Sequence, residues 1–324
     1  MRTNKTNPAP RPSETSAAAA RTAVAAALVL TLVLTLALVP ASAAGGSGAA
    51  GGPRIISLYA ADTEILLRLG SRDNLVGVSR QETYDGPETE GWVRPPEFSV
   101  RDDVEKFLAA APDYVFLRPM HLSSNPALFD ALTRAGVKLW TRQCVRASDL
   151  EAFWREMALV VGKSAEVEVM IAEFEKTMES LGAPSSAGGP GVFLESVHKE
   201  IKTFAPDSIP VWLLTLAGGR NVAADARPAR EGLVIADYGP ERLLEKAAEV
   251  DVYIAQEGPM NSVPTETIRR RDVTRTLPAF KNNRVHRVPE ELISRPTPSL
   301  AEGLRLMAEI VGGGGDKNQA GDKN

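Results

Sequence analysis

The stretch RIISLYAADTEILLRLG, Arg54–Gly70, decides the fold. Ile55, Ile56 and Leu58 make a short apolar run of the kind that forms a buried strand, and Tyr59, Ala60, Ala61 and Asp62 follow as a tight polar passage. Ile65, Leu66 and Leu69 then recur at helical spacing until Gly70 stops the helix. A strand that turns directly into an amphipathic helix sets the side chains of the turn at the strand's carboxyl end, where ligands of open α/β sheets sit.

In front of this unit, Arg2, Lys5, Arg11 and Arg21 precede a run without charge from Thr22 to Val39, then Pro40 and the small residues Ala41, Ser42, Ala43 and Ala44. A basic start, an apolar middle and an Ala-x-Ala spacing predict a secretory signal peptide over residues 1–43, with cleavage near Ala43. The run is nearly long enough to span a bilayer, so an uncleaved membrane anchor is the competing reading. The lone cysteine, Cys144, lies far from the cleavage region, which leaves a lipid anchor without support and excludes an internal disulfide. Cys144 is expected to be a small buried hydrophobe. Residues 44–52, built on GGSGAAGG, read as a flexible linker, and residues 312–324 read as a disordered tail.

Working outward from the opening unit, strand and helix alternate. Apolar runs at Asn74–Ser79, Tyr114–Pro119 and Val137–Thr141 read as strands, and Val104–Pro112 and Ala127–Gly136 as helices, which predicts a parallel sheet covered by helices over residues 53–147. From Ser148 the pattern becomes helical, interrupted near Gly162, with Val167, Ile171, Phe174 and Met178 on one stripe; residues 148–183 are a stiff connector. A second α/β lobe over residues 190–311 repeats the logic. VFLES (Val192–Ser196) is a strand, Ser208 and Pro210 open a helix, and PERLLEKAAEVDVYIAQEG (Pro240–Gly258) echoes VEKFLAAAPDYVFLRP of the first lobe. Two such lobes create a ligand cleft between them.

Lys and Arg number 37 against 41 Asp and Glu, a net charge of −4, so nucleic acid is a poor partner. The run Arg269, Arg270, Arg271 reads as a solvated face, and Asp102 with Asp103 as a helix cap. Neither a G-x-G-x-x-G after a strand nor a G-K-[ST] loop is present, and there is no Gly-x-Ser-x-Gly elbow or His-Glu-x-x-His pair. No nucleotide, no cofactor and no hydrolytic chemistry is expected.

RIISLYAADTEILLRLGSRDNLVGVS, the pair VEKFLAAAPDYVFL and PERLLEKAAEVDVYIA, LAGGRNVA (Leu216–Ala223) and FKNNRVHRVPEELISRPTPSLAEGLRLMAEIV (Phe280–Val311) together resemble the periplasmic solute-binding proteins of ABC importers for ferric siderophores, haem and cobalamin. The resemblance implies two Rossmann-like lobes joined by a single long rigid helix, a periplasmic monomer, a metal-chelate ligand in a shallow cleft, an ABC permease as partner, and no catalysis. It also implies one exposed glutamate per lobe that docks on permease arginines, by motif position Glu105 and Glu241. Both stand in the first turn of a helix, where negative charge is favoured in any case, so a purely structural role is the alternative.

Candidate ligand residues follow the strand ends: Tyr59, Arg80, Gln81, Tyr84, Arg118, Met120 and His121 in the first lobe, and His198, Lys199, Lys202, Gln256, Glu257, Met260 and Arg295 in the second. Basic and aromatic groups suit an anionic, partly flat chelate, because guanidinium groups grip carboxylates and rings stack on planar ligands. His121 and His198 follow strands in opposite lobes, and either could complete the coordination of a chelated metal or simply donate hydrogen bonds. His286 in NRVHRV reads as a structural strand residue. Two alternatives stay open: capture of a bare divalent ion by His121, His198 and Glu257, and a tetrapyrrole chelatase using His198 with Glu195 or Glu200.

Overall fold

The computed structural model describes residues 51–81, 84–181, 188–230, 232–258, 261–262 and 264–313. The expected signal peptide, the start of the linker, most of the tail and Met260 lie outside the described residues.

The opening stretch folds as β1 (Ile55–Ser57) followed at once by α1 (Ala60–Arg68). The helix therefore begins within the polar passage, and Asp62 belongs to its first turn. The first lobe continues with β2 (Leu75–Ser79), β3 (Glu97–Phe98), α2 (Val104–Ala109), β4 (Tyr114–Phe116), α3 (Pro119–Ser124), α4 (Pro126–Arg134) and β5 (Lys138–Trp140). Its strands pair in parallel in the order β3-β2-β1-β4-β5. β1 is buried throughout, as an interior strand covered on both faces must be.

The connector is two helices, α5 (Leu150–Val161) and α6 (Ser164–Ser180), rather than one rod. Gly162 at φ 69° separates them, a left-handed position that a side chain would strain. α5 packs on α1 of the first lobe.

The second lobe comprises β6 (Gly191–Glu195), β7 (Thr203–Phe204), α7 (Ile209–Leu216), β8 (Arg220–Asn221), β9 (Ile235–Ala236), α8 (Pro240–Glu245), β10 (Val252–Glu257), α9 (Thr265–Arg269), α10 (Asp272–Arg275), α11 (Pro278–Lys281), β11 (Val285–Pro289), α12 (Glu290–Ile293) and α13 (Leu300–Val311). Its main sheet is parallel in the order β11-β10-β6-β8, and β7 pairs with β9 antiparallel beside it. α6 packs on α13, so the two connector helices reach one lobe each. His286 sits in β11, as a strand residue should.

Three apolar clusters hold this together. One lies within the first lobe, around Phe98, Phe107 and Phe129, and one within the second, around Phe193, Tyr253 and Leu277. The third is shared: Ile65, Leu66 and Phe116 of the first lobe, Trp154, Met157 and Ile171 of the connector, and Leu194, Ile254, Leu304 and Met307 of the second lobe form one buried set. Cys144 is a buried free thiol in this set. Polar contacts reinforce the junction. The Trp154 indole N–H donates to the Pro296 carbonyl at 2.7 Å, Ile209 N–H to the Val145 carbonyl at 3.1 Å, and Arg146 pairs with Asp207 at 2.7 Å. Ser299 Oγ donates to the buried Glu64 carboxylate at 2.6 Å and accepts from Arg68 at 3.1 Å.

Two local expectations change. Asp102 is not a cap: its carboxylate accepts from Ser99 N–H at 2.9 Å and pairs with Lys106 at 2.7 Å, while Asp103 holds the cap position of α2 without a side-chain bond. Arg271 is not part of a solvated face. It turns inward to the buried carboxylate of Glu195, which no exposed acid could compel at comparable gain.

Candidate ligand site

In each sheet the strand order reverses once. In the first lobe the chain runs from β1 to β2 on one side and then returns to β4 on the other; in the second it runs from β6 to β8 and returns to β10. The crevice of an open α/β sheet lies at that reversal, beyond the carboxyl ends of the two strands. Those ends carry Tyr59 and Arg118 in the first lobe, and Glu195, His198 and Gln256 in the second.

Tyr59 is where the lobes meet electrostatically. The Arg118 guanidinium lies 4.5 Å above its ring. Burial pushes the Tyr59 hydroxyl up to about 12; Arg118 and Arg295 pull it back, and Asp62 and Glu290 push it further up. Tyr59 is thus a neutral phenol set among two cations and two acids, with Arg295 and Glu290 supplied by the opposite lobe. Arg295 is buried and lies 3.5 Å from Glu290, while Gln256 accepts a hydrogen bond from Ser294. The Arg118 Nε–H is buried and, among the described residues, has no acceptor. A buried guanidinium N–H without an acceptor carries a desolvation penalty that an incoming anion would relieve.

The histidines take defined roles. Burial, helped by Arg118, pushes His121 down to about 4, so the ring is neutral near pH 7. Its Nδ1 accepts from Arg118 N–H at 3.3 Å, which leaves the proton on Nε2, a donor. His198 is buried, with Nδ1 3.0 Å from Glu195 and Nε2 2.9 Å from the Asn261 carbonyl. A carbonyl only accepts, so Nε2 carries a proton there too. With these hydrogen bonds each ring's Nε2 is a donor, and the one lone pair of a neutral His121, on Nδ1, already accepts from Arg118 N–H. Among the described residues no group of three or more His, Cys, Asp or Glu side chains could hold a metal ion.

The other expected residues lie around this centre. Tyr84 donates to Glu88, under an Arg68 guanidinium 5.6 Å from its ring, and so joins the Arg68–Glu64–Ser299 junction. Arg80 is exposed and pairs with Asp102 at 3.3 Å, beside α2. Gln81 and Lys199 are exposed, and Lys202 pairs with Glu200 at 2.7 Å and Asp237 at 3.0 Å within its own lobe. Glu257 pairs with Arg287 at 2.9 Å. The reading from sequence missed Asp62, Glu290, Ser294 and Asn261. Asn261 donates to the Ser196 and Gln256 carbonyls at 2.8 Å and so spans the reversal between β6 and β10. Only the acid in the first turn of α1 left a trace in the sequence, and it reads equally as an ordinary helix start.

Glu105 and Glu241 are exposed in the first turns of α2 and α8, the same place in each lobe. No helix among the described residues is long and apolar enough to cross a membrane.

Sequence comparison places residues 55–292 in a family described as periplasmic binding protein. A curated relative is an uncharacterized ABC transporter substrate-binding lipoprotein of Bacillus subtilis, 26% identical over 270 residues, 80% of this chain and 79% of that one. The vitamin B12-binding protein of Vibrio parahaemolyticus is 23% identical over 247 residues, 76% of this chain and 84% of its own. Among solved structures, a possible iron-binding (periplasmic solute-binding) protein of Staphylococcus epidermidis superposes with a TM-score of 0.67 at 23% identity, over 80% of this chain and 98% of that one. Two parallel sheets, two reversals facing one junction and a matched sequence over both lobes have one reading: the chain belongs to the periplasmic binding protein family.

Proposed function

We propose that this protein captures an anionic metal chelate of the ferric-siderophore, haem or cobalamin type between its lobes and delivers it to the permease of an ABC importer. The carrying observation is the Arg118 guanidinium over the Tyr59 ring, with the charge of Arg295 from the opposite lobe acting on the same tyrosine and a buried Arg118 Nε–H that has no acceptor among the described residues. Guanidinium groups grip carboxylates in two-pronged fashion, and a tyrosine face stacks on a flat ligand. The ligand is held through its carboxylates and its faces, with His121 Nε2–H as a further donor, and its metal stays in its own cage. One relative is a vitamin B12-binding protein, which fits a chelate of this class. The protein acts in the periplasm as a monomer, performs no chemistry, and docks through Glu105 and Glu241.

The test is titration of the purified protein with cyanocobalamin, haemin and ferric hydroxamates, followed by tryptophan fluorescence and thermal shift. A true ligand quenches saturably at one site per chain and is recovered unchanged. At a hundredfold excess over Kd it adds about 2.7 kcal/mol to stability, which raises the melting temperature by about 5–10 °C for a domain of this size. Silence with all three chelates, or insertion of metal into free porphyrin, would replace the carrier reading.

A further inference from the structure

The helices that carry Glu105 and Glu241 are alike beyond those residues. In α2 the order is Glu105, Lys106, Phe107, Leu108; in α8 it is Glu241, Arg242, Leu243, Leu244. Phe107 and Leu243 are fully buried anchors of their lobes, whereas Leu108 and Leu244 are 41% and 46% exposed. Residues three apart share a helix face, so each leucine stands beside its glutamate. The cation in between is drawn aside in both lobes. Lys106 pairs with Asp102 at 2.7 Å and lies 4.8 Å over the Phe98 ring; Arg242 pairs with Asp225 at 2.7 Å and lies 4.5 Å over the Tyr238 ring. Among the described residues neither glutamate has an ion-pair partner of its own. The two echoing helix starts thus build one arrangement in both lobes: a carboxylate without an ion-pair partner among the described residues, an exposed leucine at its side, and the neighbouring cation clamped on an acid and a ring.

We infer that the permease is gripped by two such composite contacts, and that Leu108 and Leu244 supply the apolar half of each. The inference rests on the reading that Glu105 and Glu241 dock on the permease, and it extends that reading from charge to shape. The partner it fits is a membrane permease offering two sockets, each with a guanidinium or ammonium group at the rim of an apolar hollow. Rim charges steer and orient an encounter, while buried apolar anchors slow its dissociation. The clamps on Lys106 and Arg242 keep each carboxylate undiluted for the incoming cation.

The test uses the full-length chain and the permease of its own importer, reconstituted in phosphatidylcholine and phosphatidylglycerol vesicles, with affinity measured over a range of sodium chloride. Leu108→Ser with Leu244→Ser is expected to weaken docking about tenfold per leucine at every salt concentration while leaving the salt dependence as in wild type. Glu105→Gln with Glu241→Gln is expected to weaken docking at low salt and flatten the salt dependence. Unchanged chelate binding and circular dichroism verify the fold, and Leu108→Ala with Leu244→Ala serves if the serine pair misfolds. Wild-type affinity in the leucine pair, with loss in the glutamate pair, overturns the inference and spares the docking reading. Wild-type affinity in both pairs overturns both.

Discussion

Arg118 is half-buried, its Nε–H is buried with no acceptor among the described residues, and its guanidinium lies over the ring of Tyr59, whose hydroxyl also feels the charge of Arg295 from the other lobe. Replacing Arg118 by Ala is expected to lower chelate affinity by about 10–100-fold, the worth of a charged hydrogen-bond donor in a dry site, as titration calorimetry reads directly. His121 gives a pH signature in the ligand-free protein. Its folded value of about 4 lies below the ordinary 6.5, so the unfolded chain binds more protons between those values. Stability therefore falls as pH drops from about 6.5 through about 4, and His121→Gln is expected to flatten that part of a plot of urea midpoint against pH. Tyr59 and Arg118 were legible because each follows the apolar run of a strand, Gln256 because it stands near the end of β10, and Arg295 because it lies shortly after the last strand. Their partners were not: Asn261 and Glu290 look like any loop or helix-start residue until the fold joins distant strands. Arg271 shows the converse, since only the buried Glu195 beside it turns an evident surface cation inward.

At the scale of elements, periodicity marked the long pieces and missed the short ones. β3, β7 and β9 are two residues each, too brief for an alternation to register. The break at Gly162 was visible, yet its consequence was not. A left-handed residue makes α5 and α6 two packed helices, each bound to a different lobe, in place of a continuous rod. Gly162→Val is expected to cost about 1–2 kcal/mol through that left-handed geometry, measurable by urea unfolding. The contact of α12 with α13 depends on Gly303, where a β-carbon would overlap the Leu292 carbonyl oxygen. Gly303→Ala is expected to destabilise by about 1–3 kcal/mol through overpacking, with a lower urea midpoint and an unchanged slope. An unaffected midpoint would mean that α13 can slide, and the lobes with it.

At the scale of the molecule, two lobes are legible from the repeated strand and helix pattern, but their junction is not. The shared apolar cluster, the Trp154–Pro296 bond and the Glu64–Ser299 contact cross it from both sides. A core that belongs to both lobes predicts one calorimetric unfolding transition; two resolved transitions would show that the lobes are independent. The same junction limits closure, so the cleft must be complementary to its ligand from both walls before capture. That requirement is tested most directly by calorimetric titration of the chelate that binds wild type into Arg118→Ala and Arg295→Ala, one from each lobe. The account predicts one site per chain and at least a tenfold loss of affinity in each variant. Wild-type affinity in either would place the ligand on a single lobe and contradict capture between the two.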